Sequence, residues 1–189
     1  MFRKIISETV RKLQHLYESM DGYEENLLQP ASLLIKKLVA SDNWLPCAQA
    51  QPHPQYYQQY PLYIDPHDRF SLVSFVWGPG QSTPIHNHTV WGVIGMLRGA
   101  EIEQRYRYDG FLLRPTGPTQ RLMPGEISCI SPDTEDIHKV SNAYTDRVSI
   151  SIHLYGGNIG KIERNIYDED TGQRKPFISG YADAPPLSL

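Results

Sequence analysis

Two histidines separated by one residue, His86 and His88, are the first side chains of this 189-residue sequence whose types and spacing suggest metal chemistry. On a β-strand, residues i and i+2 point to the same face, so two imidazoles about 7 Å apart along the strand can share one ion. Aromatic and β-branched residues flank the pair at 75–77 and 90–94, which favours a strand. The pair alone also fits two ordinary surface or core histidines.

A third histidine could complete a metal site with this pair. His138 follows the pair after an intervening stretch that reads as strands and turns. If a barrel places it beside His86 and His88, three imidazoles face one ion and leave other coordination positions open, as a catalytic metal requires. Imidazole suits iron, zinc, copper and nickel, so the ligand set does not choose the metal. The alternative is a hydrogen-bonded histidine at a strand end.

A second polar set follows on another predicted strand. Ser151, His153 and Tyr155 alternate along the stretch SISIHLY, so their side chains share one face of that strand. Taken alone, the row fits an ordinary polar strand face.

The elements that must position these residues are mostly strands. Short strands with turns between them are predicted at 70–77, 85–96, 100–108, 127–130, 137–140 and 147–155, and Asp109-Gly110 indicates a hairpin. Residues 3–40 read as helical, with an interruption at Gly22 and a second helix at 30–39. We therefore predict one mainly β domain over 1–189, a sandwich or small barrel at 63–156, with N-terminal helices at 1–43 and a C-terminal wrap at 157–189.

Composition excludes several classes of partner. The net charge of −3 gives no electrostatic reason to expect nucleic acid or an anionic membrane surface. No apolar run is long enough to span a bilayer, and the charged N-terminal stretch lacks a signal-peptide core, so a cytoplasmic location is expected. In that setting Cys47 and Cys129 are expected to be free thiols. The oligomeric state is left open.

The spacing around the histidines resembles the cupin superfamily, which implies a double-stranded β-helix, or jelly-roll barrel, and implies His86, His88 and His138 as the metal ligands. The first cupin motif is matched by Gly80, His86, His88 and Gly99, and the second by Gly125, Pro132, His138 and Asn142. Gly92 stands where the first motif carries an acidic ligand. Glu101 lies too far along the chain to replace that ligand.

A cupin with three histidines and no carboxylate resembles the cysteine dioxygenase family of thiol dioxygenases. The resemblance covers residues 56–167 and implies Fe(II), O2 and a small thiol that is oxidised to its sulfinic acid. It implies that Ser151 and His153 hold Tyr155, whose hydroxyl reaches the substrate and oxygen site. Animal-type members carry a crosslinking cysteine near the first motif, where this chain has Gly92.

Two features resemble the bacterial branch of the family, the 3-mercaptopropionate dioxygenases. No arginine stands at 58–60, where animal-type members hold the substrate carboxylate, whereas Arg164 lies nine residues after Tyr155. The resemblance implies Arg164 as the carboxylate ligand, and Gln59 is expected at the far end of the substrate. Three alternatives stay open: cysteine as the substrate, a zinc or manganese cupin isomerase or hydrolase, and a non-catalytic ligand-binding cupin.

Overall fold

The computed structural model describes residues 2–19, 24–134, 136–184 and 186–187. Two helices precede the strands, α1 (Phe2–Ser19) and α2 (Glu24–Val39), and a short 3-10 helix covers Cys47–Ala50. The strands are β1 (Gln58–Ile64), β2 (Ser71–Trp77), β3 (Ile85–His86), β4 (Gly92–Arg98), β5 (Glu101–Tyr108), β6 (Leu113–Pro115), β7 (Gln120–Leu122), β8 (Ile127–Ile130), β9 (Ile137–Asn142), β10 (Ser149–Tyr155), β11 (Arg164–Tyr167) and β12 (Arg174–Phe177).

The strands form two antiparallel sheets. The first has the order β1-β2-β10-β4-β8, and the second has the order β12-β11-β3-β9-β5-β6, with β7 also paired to β5. Every residue of β2 and β10 is buried. One face of the first sheet contributes to the main apolar cluster with the helices, while Val73, Phe75, Trp77 and Tyr155 form a second cluster on its other face. Because both faces of this sheet are covered, its central strands are buried at every residue.

Helix α2 packs directly on β4. A side chain at Gly95 would place its Cβ 2.7 Å from Ile35 Cγ2 and 2.9 Å from Val39 Cγ1. The absence of a side chain at Gly95 therefore sets how closely the helix approaches the sheet.

The second helix begins at Glu24, not near residue 30 as predicted, and Pro30 lies inside it. The prediction was wrong because the buried stripe of the helix crosses the proline: Leu27, Ala31, Ile35 and Leu38 are each at most 1% exposed. Burial of this stripe outweighs the loss of the one backbone hydrogen bond that proline cannot donate. The predicted interruption at Gly22 lies outside the described residues.

Three strand predictions need correction. The first strand starts at Gln58, five residues before the predicted barrel start, because Gln58 already pairs with Val76. The C-terminal stretch contributes two strands, and one of them, β11, pairs with β3. The predicted strand at 85–96 is divided, since β3 ends at His86 and Thr89 has a left-handed φ of 60°.

Other expectations agree with the structure. The Asp109-Gly110 hairpin joins β5 and β6, and Cys47 and Cys129 are both free thiols. Within the described residues, neither helix combines the length and apolar character needed to cross a membrane.

Candidate metal centre

The structure brings the three predicted histidines together. His86 on β3 and His138 on β9 are direct cross-strand partners, and His88 follows β3 after a bend. The ring centroids are 4.8 Å apart for His86 and His88, 4.9 Å for His86 and His138, and 4.8 Å for His88 and His138. One ligand atom from each ring lies within 4.8 Å of the others, and these three residues are buried.

The outer nitrogen of each ring has an oxygen partner, which leaves the Nε2 atoms for a shared ligand. The Nδ1 partners are Pro84 O for His86 at 3.0 Å, Asp136 Oδ1 for His88 at 3.0 Å and Glu103 Oε1 for His138 at 2.7 Å. The Nε2 atom of His88 is buried and has no hydrogen-bond partner among the described residues. A buried nitrogen without a partner is unfavourable unless it binds something.

Burial keeps two of the imidazoles neutral. It lowers the pKa of His86 and of His88 well below the usual value, and the neighbouring imidazoles act in the same direction. A neutral imidazole has a free lone pair, so these nitrogens fit a divalent transition metal. Oxygen partners on the outer nitrogens fix ring orientation in metal sites of this kind.

Asp136 shapes the bend that carries His88. Its carboxylate accepts the backbone N–H of His88 at 2.9 Å and that of Thr89 at 3.0 Å. A β-branched residue rarely has a positive φ, and Thr89 has one. The two hydrogen bonds stabilise this bend, which turns His88 toward the other ligands without a continuous strand.

Glu103 is an acidic partner that sequence reasoning missed. Its Oε2 accepts the Ser128 hydroxyl at 2.8 Å, and Arg105 Nε lies 3.3 Å from its Oε1. Burial raises the pKa of Glu103, but hydrogen bonding to His138 and the charges of His138 and Arg105 outweigh it and hold the pKa at about 2. The carboxylate is therefore ionised beside His138.

In the sequence, charged residues alternate along β5 with Ile102, Gln104, Tyr106 and Tyr108, and this alternation predicts a half-exposed strand with its charges in solvent. Instead Glu101 and Glu103 are 1% and 6% exposed, and they point into the molecule with His138. The alternation of the strand was detectable in the sequence, but its hydrophobic pattern indicated the wrong face. The inward carboxylates lie beside polar groups inside the barrel, so the usual rule that apolar side chains face inward does not hold for this strand.

The predicted polar row on β10 forms a continuous hydrogen-bonded chain. Tyr155 Oη lies 2.8 Å from His153 Nδ1, and His153 Nε2 lies 2.8 Å from Ser151 Oγ. The Tyr155 ring stacks on the His88 ring with centroids 5.5 Å apart. The chain on the first sheet therefore ends beside the histidine cluster on the second.

Arg164 is a buried cation next to this cluster. Its neighbour on β11, Ile166, pairs with His86, so Arg164 two residues earlier points to the same face as His86. Arg164 is 3% exposed, and its guanidinium donates to Ser179 Oγ at 2.7 Å and lies 4.7 Å from the Phe177 ring centroid. Among the described residues no carboxylate forms an ion pair with it, and its Nε has no hydrogen-bond partner.

Gln59 lies on the same inner face as the β10 chain. It pairs with Phe75, which in turn pairs with Ser151. The Gln59 Oε1 atom is buried and has no hydrogen-bond partner in the described part of the chain. This side chain therefore offers an unsatisfied acceptor to the interior.

The histidine cluster contains no carboxylate, and Glu101 and Gly92 are the two positions at which one would be sought. Within the described residues the group that could hold a metal ion comprises the three histidines, and Glu101 is not part of it. At Gly92 a Cβ would lie 3.0 Å from Tyr155 Cδ1 and 3.0 Å from Ile130. A side chain at this position would therefore press on the tyrosine.

Comparison with known proteins places the chain in a family. The model of the family described as cysteine dioxygenase type I matches residues 59–169, a range that includes the three histidines, the hydrogen-bonded row on β10, Gln59 and Arg164. A Klebsiella pneumoniae protein with a double-stranded β-helix domain is 16% identical with a TM-score of 0.47, over 59% of this chain and 82% of that one. A cupin superfamily protein from Desulfitobacterium hafniense is 13% identical with a TM-score of 0.47, over 62% of this chain and 94% of that one.

The predicted fold class is confirmed: the protein is mainly β, with two antiparallel sheets and N-terminal helices. The family match covers more than half of the sequence. The chain therefore belongs to the cysteine dioxygenase type I family.

Proposed function

We propose that this protein is an Fe(II)-dependent thiol dioxygenase that oxidises 3-mercaptopropionate to its sulfinic acid. Family membership supports a thiol dioxygenase-type function, and the cluster of three buried histidines supports a metal cofactor. The identity of the metal and that of the thiol are the parts that we propose. His86, His88 and His138 would hold the metal through their Nε2 atoms.

The observation that carries the proposal is the buried guanidinium of Arg164. Burial lowers its pKa, so its charge is unfavourable there without an anion. A substrate carboxylate is a suitable partner, because the planar guanidinium can bind it through two parallel hydrogen bonds. With the carboxylate on Arg164, the thiol of a short chain points toward the histidine cluster.

The proposed reaction inserts both atoms of O2 into the substrate. A thiol RSH and O2 give the sulfinic acid RSO2H, so sulfur is oxidised by four electrons and O2 is reduced, with no other reductant. Fe(II), when bound, supplies the coordination positions and the redox chemistry for this insertion. The remaining roles belong to the protein.

Those roles are positioning roles. Tyr155 would donate a hydrogen bond to the substrate, and His153 and Ser151 would hold its hydroxyl in place through the chain described above. Gln59 would contact the far end of the substrate, where its side-chain amide N–H can donate to the carboxylate. These groups pre-orient the thiol acid for reaction.

The substrate preference rests on the lack of a partner for an amine. Glu103 is engaged by His138 and Ser128, and Asp136 is engaged by backbone N–H groups. Glu101 faces Ser151. Ser151 lies four residues before Tyr155 on β10, a distance of about 13 Å along the strand. In the described part of the chain no free carboxylate therefore stands where the ammonium group of cysteine would lie.

Oxygen uptake by the Fe(II)-loaded protein tests the proposal. Three thiols are compared at equal concentration: 3-mercaptopropionate, which has only the carboxylate; L-cysteine, which has both groups; and cysteamine, which has only the amine. We expect one O2 per thiol, a sulfinate product, and kcat/KM that is highest for 3-mercaptopropionate and lowest for cysteamine. The Zn(II)-loaded protein is the control, since zinc has no redox chemistry.

Each outcome has a distinct meaning. A higher kcat/KM for L-cysteine would make this chain a cysteine dioxygenase. No uptake with any thiol, in protein shown to contain iron, would contradict the dioxygenase proposal. The cytoplasmic location and the small-molecule partners stay predictions from the sequence.

A further inference from the structure

Glu101 is a buried carboxyl group that the proposed reaction does not use. It is 1% exposed, on the inner face of β5, and its Oε1 has no hydrogen-bond partner among the described residues. The polar groups that face it are the Ser151 hydroxyl and the Trp77 indole. An acidic side chain is rarely buried without a partner for its charge, so its position needs an explanation.

The chain that ends at Tyr155 begins at Ser151, beside Glu101. The Trp77 indole N–H donates to Ser151 Oγ at 3.3 Å. Burial lowers the pKa of His153 well below its usual value, so the ring is neutral and has one donor and one acceptor nitrogen. A neutral histidine between two hydroxyls permits two directions of hydrogen bonding, and a group that bonds to Ser151 at the start of the hydrogen-bonded chain can select one of them.

We propose that Glu101 is the fourth member of the hydrogen-bonded chain formed by Ser151, His153 and Tyr155. It is a positioning residue that sets the direction in which the hydrogen bonds of these side chains run. This inference deepens the proposed function and rests on it. It assigns Glu101 no contact with the metal or with the substrate.

The two directions give Tyr155 different roles. When Glu101 is ionised it accepts from Ser151, His153 donates from Nε2 to Ser151, and the Tyr155 hydroxyl donates to Nδ1. When Glu101 is protonated every bond reverses, and the Tyr155 oxygen accepts from Nδ1–H. Only in the second arrangement is the phenolic hydrogen free to bond to the substrate carboxylate.

Both states of Glu101 are accessible near neutral pH. Burial raises its pKa to about 7, while hydrogen bonding to Ser151 and Trp77 opposes the rise only in part. Other charged or titratable groups also act on the members of the hydrogen-bonded chain. Glu103 acts on Glu101, and the groups that act on His153 are His138, His88 and Glu103. The groups that act on Tyr155 are Arg164, Tyr57, Tyr181 and Glu101. The protonated form is therefore present below about pH 7 and is lost above it.

The tautomer of His153 is the direct readout. Long-range 1H–15N spectra of 15N-histidine-labelled, Zn(II)-loaded protein are recorded from pH 5.5 to 8.5, and the His153→Gln variant identifies the His153 signals. We expect the ring proton to move from Nδ1 to Nε2 as the pH rises, with a midpoint near 7. In Glu101→Gln the amide donates to Ser151, so the Nδ1–H form should persist throughout.

Glu163→Gln is the matched control. Glu163 is exposed, so this change also removes one carboxylate but should leave the switch intact. A single His153 tautomer across the range in the unmodified protein would overturn the proposal, and so would a switch that persists in Glu101→Gln. If Glu101→Gln does not fold, the pH titration of the His153 tautomer in the unmodified protein still tests the proposal.

Kinetics connect the switch to the reaction. We expect the KM for 3-mercaptopropionate to rise about tenfold from pH 6 to 8.5 in the Fe(II)-loaded protein, since one hydrogen bond to a charged group is lost. In Glu101→Gln the rise should be less than twofold, and an unchanged tenfold rise would contradict the proposal. The NMR readout needs no thiol, so it stands even if the protein oxidises none.

Discussion

At the scale of single residues, the three imidazoles differ in what orients them. His86 donates to a backbone carbonyl, whereas His88 and His138 face the carboxylates of Asp136 and Glu103. A carboxylate partner raises the basicity of an imidazole ligand. The cluster therefore offers one weaker and two stronger nitrogen donors to a metal.

Arg164 gives the sharpest prediction at this scale. Arg164→Ala in the Fe(II)-loaded protein should raise the KM for 3-mercaptopropionate about 100-fold, because two parallel, charge-assisted hydrogen bonds to the substrate carboxylate are lost. Arg164→Lys keeps the charge but loses the fork, so its KM should lie between the two. The measurement is steady-state oxygen uptake with iron content determined in parallel.

The control for this prediction is Arg174→Ala. Arg174 is exposed on β12, so the variant has the same change in charge without the change at the site. If Arg164→Ala retained the parent KM with normal iron content, the substrate carboxylate would have to bind elsewhere.

At the scale of elements, α2 supports the sheet that carries the hydrogen-bonded chain. Strand β10 lies between β2 and β4, and α2 packs on β4 at Gly95. The helix thus covers the outer face of the sheet whose inner face presents Tyr155. The position of the tyrosine depends on this packing, although α2 contributes no residue to the site.

Gly95→Ala tests that packing. The new methyl group would overlap Ile35 Cγ2, so we expect a loss of roughly 1–3 kcal/mol in the free energy of unfolding, measured by urea denaturation. Ile35→Ala removes the overlapping atom. The double variant should therefore be more stable than the sum of the two single losses predicts, and strictly additive losses would mean that the helix moves away instead.

At the scale of the whole molecule, the histidine cluster joins distant parts of the chain. His86 and His138 lie on neighbouring strands of the second sheet, while His88 contacts Tyr155 of the first. A ligand that binds all three histidines binds only the folded chain, because the unfolded chain does not bring them together. Metal binding and fold stability are therefore linked.

Thermal unfolding with added Zn(II) measures this linkage. At free metal about 100 times the dissociation constant, binding adds about 2.7 kcal/mol, which corresponds to a rise in Tm of roughly 5–10 °C for a domain of this size. His138→Gln should remove most of the rise. His15→Gln, at an exposed position on α1, should retain it, and an equal loss in both variants would contradict a three-histidine site.

Residue types and spacing predicted the histidine cluster and the β10 row because period-2 alternation is a local property of the sequence. They did not predict Glu103 or Asp136, because those side chains meet the histidines only through strand pairing and a loop. The orientation of β5 was wrong because the interior that it faces is polar. The bend at Thr89 was also not detectable, since it depends on hydrogen bonds from a residue 47 positions away.

The inward carboxylates of β5 have a consequence for folding errors. A slip of one residue against β9 would turn Glu101 and Glu103 outward and Ile102 inward, an exchange that the hydrophobic effect favours. The bonds of Glu103 to His138 and Ser128 oppose this slip, and so does the burial of Tyr106 beside Ile85 and Tyr167 on the other face of the strand. Acid that protonates Glu103 weakens this preference, so misregistered, aggregation-prone chains should accumulate when refolding takes place at low pH.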